Sequence, residues 1–193
     1  MEVIRKYLDD VAAAAQAVDL AVVEQAIGAM EAAYRGRHGV FAVGNGGSAA
    51  NASHFAQDLA KGALRDDAAI RFPVLSLVDS TPFLTAVAND IGYEDVFVFQ
   101  LRQFAKPGDW LIAVSGSGNS PNIIKAVDFA RDLGVRVMGF TGFDGGRLRT
   151  LSDISVHVPL EDMCQTEAVH SVLMHLIVDV LRDRLALPKA DTD

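Results

Sequence analysis

Apolar residues recur along this chain with two periods, and the places where one gives way to the other set out the elements. At the amino end, Val3, Ile4, Tyr7, Leu8 and Val11 keep the spacing of one helical face, extended by the alanines at 12 to 15. Asp19 is placed to cap a second helix. Its face is Val23, Ala26, Ile27, Met30 and Tyr34, and it ends near Gly36 or Gly39. Val40 to Val43 is then a short continuous apolar run, the mark of a strand buried on both faces of a parallel sheet. Similar runs follow at 74–78, 110–114, 135–141 and 154–158. Between them the pattern predicts helices from the Gly-rich turn to Leu64, from Ser80-Thr81-Pro82 to Asn89-Asp90, and over 93–104, 121–133 and 166–187, with a short one after Gly146. Asp66 and Asp67 mark a surface loop, and residues 188–193 a frayed tail.

Five apolar strands separated by helices predict a doubly wound five-stranded parallel α/β sheet. The 193 residues read as one domain: a helix pair over 1–38, then sheet and helices over 40–187. The two leading helices are more than the sheet needs for cover, which leaves a subunit interface or packing on their own domain. Half the residues are hydrophobic and 22% charged, as in a globular chain. A net charge of −8 argues against a general nucleic-acid surface. The single cysteine, Cys164, rules out an internal disulfide framework. No apolar run reaches membrane-spanning length and no signal-peptide pattern opens the chain. A soluble cytoplasmic protein without nucleic-acid or membrane partners is the expectation.

Two loops carry the chemistry. After the 40–43 strand comes Gly44-Asn45-Gly46-Gly47-Ser48. Its glycines permit a tight turn with positive φ, and Ser48 can cap the next helix, whose free N–H groups favour an anion. After the 110–114 strand comes Ser115-Gly-Ser-Gly-Asn-Ser120, where Ser115, Ser117 and Ser120 can each donate a hydroxyl to a phosphate oxygen. Neither loop holds lysine or arginine, so neither is a Walker A loop; Ala49 also stands where the dinucleotide motif needs its third glycine. Neutral donors suit a phosphate monoester that must leave again. His54 and Asp58, four apart, share a face of the helix after the first loop, as an acid/base or metal-ligand pair.

GNGGSAANASHFAQDL, VANDIGYEDVF, AVSGSGNSPNIIKAV, GFTGFDGG and EAVHSVLMH, in this order, resemble the sugar isomerase (SIS) domain proteins, nearest the sedoheptulose 7-phosphate isomerase branch, over nearly the whole chain. The resemblance implies an aldose–ketose isomerase acting on a sugar phosphate through a cis-enediol, and a homotetramer built around the leading helices. It implies that the serines of the second loop hold the phosphate, and that Asn45, Gly46, Gly47, Ser48 and Asp90 line the sugar. The family's four catalytic positions, which bind zinc in many members, fall on His54, Asp58, Glu167 and His175, with His175 and Asp58 as the acid/base pair. His157 and His170 are read as packed or exposed residues, not ligands.

The chain also departs from the family pattern. Asp58 stands for the usual glutamate, shortening the reach by about 1.5 Å. Glu167 stands for glutamine, Gly62 for an arginine and Gly116 for a threonine, and the common acidic–arginine pair is missing at 163–166. A relative that binds the bacterial replication initiator shows a non-catalytic alternative. That relative lacks the last-helix histidine, which is present here as His175.

Overall fold

The computed structural model describes residues 1–64 and 70–186. The Asp66-Asp67 loop, Leu187 and the expected tail lie outside the described residues. Five parallel strands, β1 (Val40–Gly44), β2 (Val74–Ser76), β3 (Trp110–Ser115), β4 (Arg136–Thr141) and β5 (Ile154–His157), form one sheet in the order β2-β1-β3-β4-β5. Every residue of β1 and β3 is buried, as their unbroken apolar runs require.

Helices cover both faces. On one lie α1 (Glu2–Gln16), α2 (Leu20–Gly36), α3 (Gly46–Lys61) and α8 (Met163–Ala186), over a core built from Met30, Phe55, Leu59, Phe140 and Ile177. On the other lie α4 (Thr81–Asp90), α5 (Val98–Phe104), α6 (Pro121–Leu133) and α7 (Gly146–Leu151), over Phe97, Leu101, Leu111, Ile123 and Val127. The strand order reverses between β1 and β3: the chain leaves β1 for β2 on one side and returns to β3 on the other. Consequently α3 and α6 start from neighbouring strands and run to opposite faces. The crevice that opens between them, past the carboxyl ends of the strands, is where sheets of this order bind ligands.

The predicted elements are all present, with three adjustments. The strand expected over 74–78 ends at Ser76: Leu77 still donates its N–H to the Ala42 carbonyl, and the chain then turns. The helix expected over 93–104 is split into a single 3₁₀ turn, Tyr93–Asp95, and α5. Val96, Phe97 and Val98 are all buried, and three successive residues cannot share one narrow helical face, so the backbone breaks to admit them to the core. Ser48 does not cap α3. The helix begins at Gly46, whose φ of +55° lets the chain enter it directly after Asn45, so Ser48 falls inside the first turn. Asp19 does cap α2, accepting the Ala21 N–H at 2.8 Å.

The two leading helices are covered to different extents. α2 buries Val23, Ala26, Ile27, Met30 and Ala33 in the core. Of α1 only Ala14 is buried, and the start of its stripe is bare: Val3 is 81% exposed, Ile4 and Leu8 each 61%. Among the described residues no single helix is long and apolar enough to cross a membrane.

Candidate active site

The two loops after β1 and β3 stand side by side at the crevice and line one cavity of about 280 Å³, roofed by Met163 and Glu167 from the start of α8. On the β3 side the loop holds itself open. Ser115 Oγ accepts the Gly118 N–H at 3.2 Å, and the Gly118 N–H also reaches the Ser115 carbonyl at 3.0 Å. Gly118 has φ +66°, and a Cβ there would overlap the Gly145 backbone. Ser120 is the N-cap of α6, yet its hydroxyl caps nothing in the helix; it lies 3.4 Å from Ser115 Oγ. Three serines thus line the cavity with no cation among the lining residues; of the first backbone groups of α6, Pro121 has no N–H and the Ile123 N–H is held by Asn122 Oδ1.

On the β1 side the loop already holds a carboxylate. Ser48 Oγ donates to Glu167 Oε1 at 3.2 Å, and Asn51 Nδ2 donates to the Glu167 backbone carbonyl at 2.9 Å. A Cβ at Gly47 would collide with the Glu167 carboxylate, so glycine there is what lets α8 bring an acid onto the first turn of α3. The N-terminal end of a helix favours such an anion. Neighbouring Asn45 lines the cavity, but its amide oxygen is engaged by Tyr93 and Asn122.

Two turns farther along α3, and adjoining α8, is a second cluster. His54 Nε2 and His175 Nε2 each lie 3.4 Å from Asp58 Oδ2, and the two imidazoles meet edge to face with centroids 4.8 Å apart. The nitrogen, oxygen and nitrogen atoms all lie within 4.8 Å of one another. Both histidine side chains are about half exposed. The cluster holds three of the four residues expected to meet. Glu167 is apart from it: eight residues separate it from His175, about 12 Å of helix, and its carboxylate is turned to Ser48.

Other expected residues sort as follows. Gly46, Gly47, Ser48, Ser115, Ser117 and Ser120 all line the cavity. Asp90 does not; it ends α4, accepting a hydrogen bond from Asn89 Nδ2 at 2.7 Å. His170 is fully buried, its Nε2 3.1 Å from the Thr141 carbonyl, and burial pushes the imidazole down to about 4 despite that hydrogen bond. His157 Nδ1 sits 3.0 Å from Thr141 Oγ1. Sequence reasoning missed Met163, Tyr93 and Asn122 as parts of the site. Only Asn122, two residues past the last serine of its loop, carried a local hint.

Comparisons with known proteins show the family and the fold. A family model described as SIS domain matches residues 5–142. The phosphoheptose isomerase of Rhodospirillum rubrum is 38% identical over 163 residues, 84% of this chain and 86% of that protein. The phosphoheptose isomerase of Mycobacterium tuberculosis is 40% identical over 158 residues, 82% of this chain and 80% of that one. Among solved structures, phosphoheptose isomerase GmhA from Neisseria gonorrhoeae superposes with a TM-score of 0.86 at 30% identity, covering 94% of this chain and 98% of its own. A phosphoheptose isomerase from Francisella tularensis gives 0.84 at 26%, covering 94% and 95%.

Proposed function

This chain belongs to the SIS domain family and is a phosphosugar isomerase of the phosphoheptose isomerase type; we propose that it interconverts ketose and aldose through a cis-enediol. The observation that carries the mechanism is the Asp58 carboxylate set between His54 and His175, along the α3–α8 seam from the cavity of the two loops. From Ser48 to His54 is six residues, about 9 Å of helix. A sugar of several carbons, its phosphate on Ser115, Ser117 and Ser120, reaches from one to the other past Asn45 and Ser48.

The chain's own groups account for the proton movements. In one direction a base, His175 or Asp58, takes a proton from the carbon beside the carbonyl while the other member of the pair protonates the carbonyl oxygen. The resulting enediol then receives the carbon proton on the former carbonyl carbon and loses one from the neighbouring hydroxyl, so that protons balance over the cycle. The replication-initiator-binding alternative is disfavoured, because His175 is both present and set against Asp58.

We propose zinc for the same cluster. Two imidazole nitrogens and a carboxylate oxygen fit its preferred ligands and leave a position for substrate. His54, Asp58 and His175 would hold the ion, with Glu167 turned away toward Ser48. Bound there, zinc supplies positive charge that polarises the sugar's carbonyl oxygen. The cytoplasm, and a sugar phosphate as the partner in place of nucleic acid or membrane, complete the proposal.

Assembly belongs to it as well. The bare stripe of α1 and the half-exposed histidines support a homotetramer whose subunits meet near the sites. Leu8→Asp should lower the mass measured by light scattering to that of a smaller species; a wild-type monomer at micromolar concentration would count against it. The reaction itself is tested by incubating sugar phosphates with the protein in D₂O, with and without zinc. Deuterium should enter at the carbon beside the carbonyl of a heptose phosphate, and no exchange into any sugar phosphate would sink the isomerase mechanism.

A further inference from the structure

A side-chain amide and a hydroxyl from separate parts of the chain meet at Asn45. The Ile123 backbone N–H donates to Asn122 Oδ1 at 3.0 Å, which fixes which end of the buried Asn122 amide is oxygen. Its Nδ2 therefore donates to Asn45 Oδ1 at 2.9 Å, and Asn45 Nδ2 donates back to Asn122 Oδ1 at 2.8 Å. Tyr93 Oη donates to Asn45 Oδ1 at 2.8 Å. Both oxygens now accept two hydrogen bonds each and are saturated. The Asn45 amide keeps one N–H beyond the pair, and that N–H is what it can offer the cavity it lines.

The turn that carries Tyr93 is itself tied down. Gly92, at φ +151°, turns the chain out of α4 into the 3₁₀ turn, and Asp95 in that turn pairs with Lys125 of α6 at 2.9 Å. Tyr93 and Asn122 thus approach Asn45 from two sides, one across the mouth of the glycine loop and one from the first turn of α6.

We infer that Tyr93 and Asn122 are positioning residues that lock the Asn45 amide as a hydrogen-bond donor toward the sugar, so that the site selects a sugar oxygen acting as acceptor at that place. This rests on the proposed function, since it presupposes a sugar phosphate whose phosphate sits in the serine loop. It assigns Tyr93 and Asn122 no contact with the reacting atoms. Their loss weakens recognition of the sugar and leaves the phosphate alone.

The test is a double-mutant cycle on the full-length protein, using the sugar phosphate that exchanges deuterium and, separately, inorganic phosphate as a competitor. Tyr93→Phe should raise KM about fivefold, the loss of about 1 kcal/mol of orientation, with kcat within about twofold. Asn45→Ala should raise KM at least as far, and Tyr93→Phe added to Asn45→Ala should change nothing more, because its only route is through Asn45. Inhibition by inorganic phosphate should be equal in all variants. Asn122→Asp, which sets oxygen against oxygen across the pair, should raise KM as much as Tyr93→Phe. If it fails to fold, the Tyr93 cycle decides alone. The inference is overturned if Tyr93→Phe keeps wild-type KM, if its effect persists in full on the Asn45→Ala background, or if inorganic phosphate is lost with the sugar phosphate. A wild-type protein that binds inorganic phosphate but no sugar phosphate would remove the inference and the proposed function together. Wild-type turnover with an unchanged Tyr93→Phe would remove the inference only.

Discussion

The loops after β1 and β3 begin alike: a buried strand, a glycine-containing turn, then the start of a helix at the sheet edge. Their occupants differ. The α6 loop, the place proposed for phosphate, brings three serines to the cavity, and among the described residues none of their hydroxyls is hydrogen-bonded to a charged side chain. The α3 loop has its place taken by Glu167, a carboxylate delivered from α8 through the gap left by the missing side chain of Gly47. A helix start beside a strand end is therefore not by itself a phosphate site. What decides is which side chain the covering element brings: the start of α8 lays the Glu167 carboxylate on the glycine loop and the Met163 thioether over the serine loop. The division also suits the proposed substrate, whose phosphate the proposal sets at one loop and whose sugar it runs along the other toward the histidines.

The sharpest separation of the two loops should come from His175→Ala. It removes a partner of Asp58 and should cut isomerisation by a factor of about 10²–10⁴. The serine loop should bind inorganic phosphate in the variant as in the wild type, measured by calorimetry. Full turnover would take His175 out of the mechanism.

Acid should attack the α8 side first. His170, on α8, is held neutral by burial, with its imidazole at about 4 against an ordinary 6.5; His157 adds a smaller downward push. Unfolded chains bind a proton near 6.5 that the folded chain refuses until about 4, so stability falls as pH drops through that window. The loss is at most about 3 kcal/mol. Urea melts at pH 7 and pH 4.5 should show it, and His170→Gln should flatten the part due to this residue. Equal slopes in both proteins would assign acid sensitivity elsewhere.

A smaller contrast comes from adding one methyl group to each loop. At Gly47 a Cβ meets the Glu167 carboxylate, and Gly47→Ala should cost about 1–3 kcal/mol of stability and disturb turnover. At Gly116 a Cβ meets the Met163 thioether, the end of a flexible side chain that can swing aside. Gly116→Ala should cost less than Gly47→Ala in the same melts. The reverse order would mean that Glu167 moves more freely than Met163.

Serine truncation should give the finest distinction. Ser120→Ala removes a hydroxyl with no capping duty and should weaken phosphate binding by about 1 kcal/mol. Ser48→Ala removes the donor to Glu167 and should leave inorganic phosphate affinity within about twofold. If calorimetry finds Ser48→Ala the more damaging, phosphate sits in the glycine loop and the assignment of the two loops is inverted.

Much of this molecule is fixed locally and was legible as such. The apolar runs of β1 and β3, the 3.6-residue stripes of α2 and α6, the Asp19 cap and the four-residue spacing of His54 and Asp58 all follow from neighbours in the chain. Backbone period and side-chain spacing need only a few residues to declare themselves. Both loops and their serines were likewise readable, because strand ends and helix starts carry their own residue chemistry. The family resemblance placed Glu167 and His175 near that site, but not at which height of α3 each would arrive.

Tertiary structure decided the rest. The sheet order, with its reversal between β1 and β3, put the two loops into one crevice; five apolar runs are compatible with many orders. Burial of Val96, Phe97 and Val98 broke a helix that its local pattern favoured. Packing of α8 along α3 carried Glu167 119 residues back to Ser48 and His175 to Asp58, and so parted two residues that share a helix. Tyr93, Asn45 and Asn122 have nothing in their spacing to announce that they meet. Hydrogen bonds between segments so far apart depend on how whole elements stack. That is set by the shape and volume of the two cores, and no short stretch of sequence contains it.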